Sequence, residues 1–315
     1  MRSEAVRAAA RRLLKEGKVV RFLGHAPGFD PTSPFPQLIT RAEEAERLVL
    51  DHFCAPNLAK YLLDYETQEG VTAVVLKGCD ALGLARLLAD HRVARDRVWV
   101  VGLPCPGMLD RDKAAALLPG VQEARAEGDE FVLTGAGGER RVAAGQVLLD
   151  RCLVCAVPTP DDADELLGEP VPGRPVPREE DAAVAALEAM TSAERKAYWT
   201  EQFSRCIRCM ACRNVCPACN CRSCCFDSEE PRWLSRVTDG PAQEMFHFVR
   251  ALHVAGRCVD CHECERVCPM DIPLMKLNHK LLQDVEELFE LERAFVPREV
   301  EPLGIYRPDD PEEFA

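Results

Sequence analysis

Eight cysteines constrain this chain more than any other feature. They fall in two runs, Cys206-Ile-Arg-Cys209-Met-Ala-Cys212-Arg-Asn-Val-Cys216-Pro217 and Cys258-Val-Asp-Cys261-His-Glu-Cys264-Glu-Arg-Val-Cys268-Pro269. Both read C-x2-C-x2-C-x3-C-P, and the second repeats the first 52 positions later. This is the spacing of bacterial two-cluster ferredoxins: three closely spaced thiolates wrap one cuboidal cluster, and the cysteine before proline ligates the other. The expected ligand sets are therefore crossed. Cys206, Cys209, Cys212 and Cys268 hold one 4Fe-4S cluster; Cys258, Cys261, Cys264 and Cys216 hold the second. Zinc is the rival metal, but its sites usually take two cysteine pairs separated by a longer loop. Val215 and Val267 occupy matching positions and are expected to shield the clusters from water.

The remaining composition suits a reduced setting. The chain has 315 residues, 17 cysteines and a formal net charge of −13. Such acidity argues against a nucleic-acid or anionic-membrane surface, since both need a basic footprint. No apolar run approaches the roughly 18 residues of a membrane span; the longest are Val71–Leu76 and Val98–Leu103. The opening MRSEAVRAAARRLLKEGK is charged throughout and lacks the apolar stretch of a secretory signal. A cytoplasmic location is expected, where thiols stay reduced and serve as ligands rather than disulfides. The carboxylates are scattered as ordinary solvated faces, so no acid–base active site is expected.

Twelve of the 17 cysteines lie between Cys206 and Cys268, and five are spread over the first 155 residues. That split predicts two domains: an α/β domain over 1–157 and a helix-rich dicluster ferredoxin domain over 199–296. A proline-rich connector over 158–198 and an acidic tail over 297–315 complete the chain. In the first domain, Arg2–Glu16 has helical spacing. Val19–Leu23 reads as a strand, and Ala42–His52 and Leu58–Tyr65 as helices. Val71–Leu76 and Val98–Leu103 are short apolar β-branched runs, each followed by a helix, at 81–91 and 109–118. Buried strands alternating with helices predict a parallel sheet. Glu130–Thr134, Glu139–Val142 and Gln146–Leu149 are expected to form a small meander.

Ligands of parallel sheets bind off the carboxyl ends of the strands. Cys79 and Cys105 stand at that position on two expected neighbours, and Cys152 and Cys155 form a C-x2-C pair further on. Together they make four thiolates, enough for a third 4Fe-4S cluster or one tetrahedral zinc. The alternative is that Cys79 and Cys105 are small buried residues at strand ends. Lys77 and Gly78 adjoin Cys79, and Lys77 either neutralises a cluster, contacts a flavin phosphate or is a surface lysine. No Gly-x-Gly-x-x-Gly or P-loop supports a nucleotide site. Cys54 and His25 have no partner in sequence and read as structural.

In the second domain, Met245, Phe246, Val249 and Leu252 at helical spacing predict a helix over Glu244–Val254. Helices over Leu274–Leu282 and Val285–Phe295 are expected after it. Cys219, Cys221, Cys224 and Cys225 are candidate ligands of an additional centre, either a cluster or zinc, the alternative being a redox-labile vicinal pair. Arg205, Arg208 and Arg213 surround the first run, whereas Asp260, Glu263 and Glu265 surround the second. Positive surroundings raise a cluster's potential and negative ones lower it, so the two centres are expected to differ. His262 reads as a loop residue.

The motifs VVLKGCDALGLARLL, GLPCPGMLD, DRCLVC, CIRCMACRNVCPACNCRSC and CVDCHECERVCP, spread over residues 70–270, resemble the beta-subunit family of deazaflavin (coenzyme F420) hydrogenases and formate dehydrogenases. The cysteine runs also resemble those of heterodisulfide reductase subunits. The resemblance implies an electron-transfer subunit that works with other redox subunits of a larger complex. Family members can carry FAD beside iron–sulfur clusters and reduce a deazaflavin or nicotinamide. In the best-known members a ferredoxin segment precedes the flavin region, whereas here the cluster domain follows. Three functions are thus compared: an iron–sulfur relay, an FAD-binding subunit and a zinc-stabilised interaction protein.

Overall fold

A computed structural model describes residues 2–174, 179–235 and 237–289. The chain divides into two compact units, 1–177 and 178–315.

The first unit is built on a five-stranded mixed sheet, ordered β2-β1-β3-β4-β8. Its strands are β1 (Arg21–Ala26), β2 (Phe35–Ile39), β3 (Thr72–Leu76), β4 (Val98–Gly102) and β8 (Glu165–Leu166). β1, β3, β4 and β8 are parallel, and β2 runs antiparallel to β1. Every residue of β1 and β3 is buried, as the continuous apolar runs require of strands covered on both faces. Helix α1 (Arg2–Lys15) buries Val6, Ala9, Ala10 and Leu13. Helix α2 (Gly78–Ala89) follows β3 directly and buries Leu84 and Leu87 in the same core. β2 was not foreseen because it contains Pro36, which is admissible only on an edge strand such as this.

A second, three-stranded antiparallel sheet comprises β5 (Val121–Glu127), β6 (Glu130–Gly135) and β7 (Gly138–Ala143). It packs Phe131, Leu133 and Val142 on Met108, Leu109 and Leu148. Helix α3 (Arg111–Leu117) is capped by Asp110, whose carboxylate accepts from the Asp112 and Lys113 amides. The expected third strand at Gln146–Leu149 is replaced by a helical turn, α4 (Ala144–Val147), and β5 supplies the strand instead. Residues 42–47 and 59–65 are short 3-10 turns rather than α-helices. Residues 158–174, expected as connector, pack within this unit: β8 joins the sheet edge, and Thr159 Oγ1 donates to the Val171 carbonyl at 2.9 Å.

The second unit is helical. Helices α6 (Glu179–Glu188) and α7 (Ser192–Ser204) occupy the rest of the expected connector, and α7 starts with a Thr191–Glu194 capping box. Later come α9 (Gly240–Val254) and α11 (Leu274–Leu288). α11 is continuous where two helices were expected. The expected residues 290–295 of its second part and the acidic tail 297–315 lie outside the described residues. The core combines Trp199, Phe203, Leu234, Phe246, Ile272, Leu274 and Met275 with Cys212 and Cys264. No helix among the described residues is long and apolar enough to cross a membrane.

Candidate functional site

The two cysteine runs of the second unit follow the same backbone path. Arg208 and Met210 have φ of 52° and 62°; Asp260 and His262, at the equivalent positions, have 55° and 56°. Non-glycine residues rarely adopt this left-handed conformation, and successive residues of this kind turn their amides toward one concavity. Each run then enters a single helical turn, α8 (Ala211–Asn214) or α10 (Glu263–Arg266). The Arg208 amide donates to Cys206 Sγ at 3.3 Å. The amides of Asp260 and Glu263 likewise reach Cys258 and Cys261. Val215 and Val267 are half-buried at the ends of the two turns.

Mutual electrostatics show which thiols influence one another. Cys206 and Cys212 are both raised by proximity to Cys209 and Cys268. Cys258, Cys261 and Cys264 are each raised by Cys216, and Cys264 also by Cys212 of the first set. Burial is the first cause in all five, pushing Cys212 up to about 11 and Cys264 up to about 12. Cys216 moves the other way, down to about 5, through a hydrogen bond with Cys219 and then, against burial, the charge of Arg250. Among the described residues, the group of three ligand atoms lying within 4.8 Å of one another is Asp260, His262 and His279; no three thiols are so close.

The Asp260 group is a hydrogen-bonded knot. His279 Nε2 lies 2.6 Å and His262 Nε2 3.3 Å from Asp260 Oδ1. Burial opposes ionisation of Asp260, yet the two imidazoles prevail and hold its carboxyl far below the usual range. His262 therefore does more than fill a loop: it and His279 of α11 tie down the left-handed turn between Cys258 and Cys261.

The charges flanking the runs have their own partners. Arg213 pairs with Asp227 at 2.7 Å, Arg208 donates to the Ser235 and Val237 carbonyls, and Arg205 to Gln202 and the Asp271 carbonyl. Glu263 pairs with Arg266 at 2.7 Å, and Glu265 accepts from the Met275 amide at 2.8 Å. A charge that sequence reasoning missed lies between the sets. Arg250 of α9 is buried and donates to the Cys212 carbonyl at 3.1 Å. Its signal was present as polar residues at helical spacing, Gln243, His247 and Arg250, all buried, while Met245 and Leu252 of the apolar stripe are exposed.

The additional cysteines separate. Cys219 joins Cys216, whereas Cys225 interacts with Cys224 and Cys221, and Cys224 with Arg213.

In the first unit, Cys79 opens α2 just past β3, and Cys105 follows the neighbouring strand β4. Cys152 sits on the short helix α5 (Asp150–Leu153), with Cys155 just beyond it. All four line one pocket, together with Lys77, Gly78, Arg151 and Arg174. Residues from the expected connector close it. Pro158 O accepts from the Cys105 amide at 3.0 Å, and Arg174 donates to the Cys152 and Pro106 carbonyls at 2.8 and 2.9 Å. Gly78 is required here, because a Cβ would lie 1.8 Å from the Val157 carbonyl oxygen. The Met108 amide points at Cys152 Sγ, 3.4 Å away.

Burial pushes Cys105 up to about 12, with Cys152 adding repulsion, and Cys79 and Cys155 are raised for the same first reason. A metal binding here would release their protons. Lys77 is 2% exposed. Its ammonium pairs with Asp80 at 2.7 Å and donates to the Cys54 and Pro56 carbonyls. Burial would lower its pKa, but Asp80 and the nearby thiols outweigh it and raise it. Three donors meet three acceptors, so Lys77 is neither a surface lysine nor free to take a phosphate. Cys54 is fully buried against Asp51 and Val49, and His25 contacts the Pro56 carbonyl at 3.2 Å.

No protein-family model matches the chain. Two characterised proteins are similar over most of its length. The F420-dependent formate dehydrogenase subunit beta of Methanocaldococcus jannaschii is 23% identical over 339 residues, covering 88% of each chain. The F420-dependent formate dehydrogenase 1 subunit beta of Methanococcus maripaludis is 24% identical over 338 residues, covering 88% of this chain and 87% of that one. A chain of the F420-reducing NiFe hydrogenase complex from Methanosarcina barkeri matches 48% of this chain and 58% of its own, with a TM-score of 0.39 and 17% identity. The resemblance drawn from the motifs is thus met by similarity to two beta subunits along nearly the full chain.

Proposed function

We propose that this chain is an iron–sulfur electron-transfer subunit of a multi-subunit oxidoreductase, working beside other redox subunits in the cytoplasm. The observation that carries this reading is the repeated loop: two runs with matching left-handed residues, whose thiols couple in the crossed pattern of a two-cluster ferredoxin. The residues fit cuboidal clusters. Loop amides face the sulfurs, and Arg250 Nε is buried without an acceptor among the described residues. Bound 4Fe-4S clusters supply one-electron acceptance and return. The protein's part is to hold them with Cys206, Cys209, Cys212 and Cys268, and with Cys258, Cys261, Cys264 and Cys216. Burial by Phe246, Met275 and their neighbours keeps water from the Cys212 and Cys264 sulfurs. In the first unit, Cys79, Cys105, Cys152 and Cys155 would hold a third cluster.

The names of the relatives favour a second reading, in which the chain also binds FAD and serves deazaflavin reduction. Flavin analysis of the purified protein, with an assay of F420 reduction, separates the two. Stoichiometric flavin makes the chain a flavoprotein subunit.

The crossed ligation has a direct test by EPR on reduced single-serine variants. Cys268→Ser should abolish the same signal as Cys209→Ser, and Cys216→Ser the same signal as Cys261→Ser. If Cys268→Ser instead removes the signal lost in Cys261→Ser, the ferredoxin assignment is wrong.

A further inference from the structure

We propose that Arg250 is a shared positive pole for both clusters of the second unit and raises their two reduction potentials together. This rests on the relay reading above. α9 lies between the two cysteine runs in sequence, and its buried face carries Gln243, His247 and Arg250 inward. Gln243 donates to the Cys206 carbonyl, and Arg250 Nη2 to that of Cys212, so the helix is fastened to the first run. The guanidinium charge also acts on Cys264 and Cys216 of the second set, and on Cys219. The charge of one side chain therefore acts on thiols of both sets.

Among the described residues, Arg250 has no carboxylate partner, and its Nε lies buried without an acceptor. A buried cation without a counter-charge is costly, and the negative groups whose charge acts most on Arg250 are the sulfurs of Cys264, Cys216, Cys219 and Cys212. Its field is felt elsewhere: His247 is held neutral, down to about 4, by burial first and then by Arg250. Four thiolates leave a 4Fe-4S cluster net negative, more so once reduced, and a nearby fixed cation favours the added electron. Of the arginines flanking the first run, Arg213 is paired with Asp227, while Arg208 is held by the Ser235 and Val237 carbonyls and keeps a charge that acts on Cys206 of the first set. Because one charge serves both sets, it shifts both in the same direction and leaves their difference to local groups.

The experiment is an EPR-monitored redox titration of the anaerobically purified, cluster-loaded full chain, with iron determined on each sample. Arg250→Gln should lower the reduction equilibrium of both clusters by about tenfold, which is about 59 mV for one electron. Arg250→Lys keeps the charge and should hold both within about threefold of the unmodified protein. A fully loaded Gln variant with unchanged midpoints, or a shift in one cluster alone, overturns the shared role while leaving the relay intact. If the Gln variant takes up no iron, the Lys variant decides: preserved midpoints support the proposal, and a tenfold drop contradicts it. If neither variant loads, Arg250 is a structural residue and the proposal fails. An unmodified protein that carries zinc and gives no cluster signal defeats the relay reading itself.

Discussion

The two thiol-bearing regions reach similar ends by opposite routes. In the second unit each set takes three cysteines from one short loop, and a left-handed turn shapes the loop locally. In the first unit Cys79, Cys105 and Cys152 come from three separate segments, and only the parallel pairing of β3 with β4 brings the first two side by side. A local site survives rearrangement of its surroundings, whereas a site assembled by tertiary structure is as stable as the fold beneath it. The electrostatics differ in the same way. The first unit answers its thiols with a fully partnered lysine, Lys77; the second uses an arginine without a carboxylate, Arg250.

Breaking this comparison most severely means removing one ligand of the assembled site. Cys105→Ser should abolish a third EPR signal and about four irons while both ferredoxin-type signals persist. Unchanged iron would return Cys105 to the role of a buried strand-end residue. Next in size is Lys77→Met, which removes the ammonium 2.7 Å from the fully buried Asp80. A cost of about 3–5 kcal/mol to the first unit is expected in denaturant titrations, with metal lost there and retained in the second unit. Gly78→Ala forces the Val157 backbone aside and should cost about 3 kcal/mol by the same assay. A cost below about 0.5 kcal/mol would show that this wall of the pocket yields easily.

The smallest effect is a pH dependence in the second unit. His247 has a folded pKa of about 4, below the ordinary value of 6.5. The unfolded chain therefore binds more protons between those values. The contribution is complete above about pH 6.5 and falls by about 2 kcal/mol by pH 5. In His247→Phe, which keeps an aromatic ring against Phe203, that slope should vanish; an equal slope in both proteins would assign it to other groups.

Much of this was legible in sequence for reasons that track the comparison. The ferredoxin-type runs are local, so spacing alone indicated which loop each cysteine occupies. β3 and β4 were readable because strands buried on both faces must be apolar throughout. From there the strand-end rule placed Cys79 and Cys105 together. What escaped was set by tertiary context. Val121–Glu127 is rich in Ala, Glu and Arg, yet it pairs with β6 and is largely solvent-facing. Leu148 meets Leu109 in an isolated bridge, so the apolar stretch at Gln146–Leu149 makes one contact and not a strand. Arg250 escaped because a lone arginine on a helix normally faces water, and only the folded neighbours reveal it as buried.

The central claim is that both regions hold clusters, one local and one assembled by the fold. Iron, sulfide and zinc per chain, measured on anaerobically purified protein, test it most directly. About 12 irons with matching sulfide and no stoichiometric zinc is the predicted result. About 8 irons, unaltered by Cys105→Ser, would contradict it and confine the clusters to the second unit.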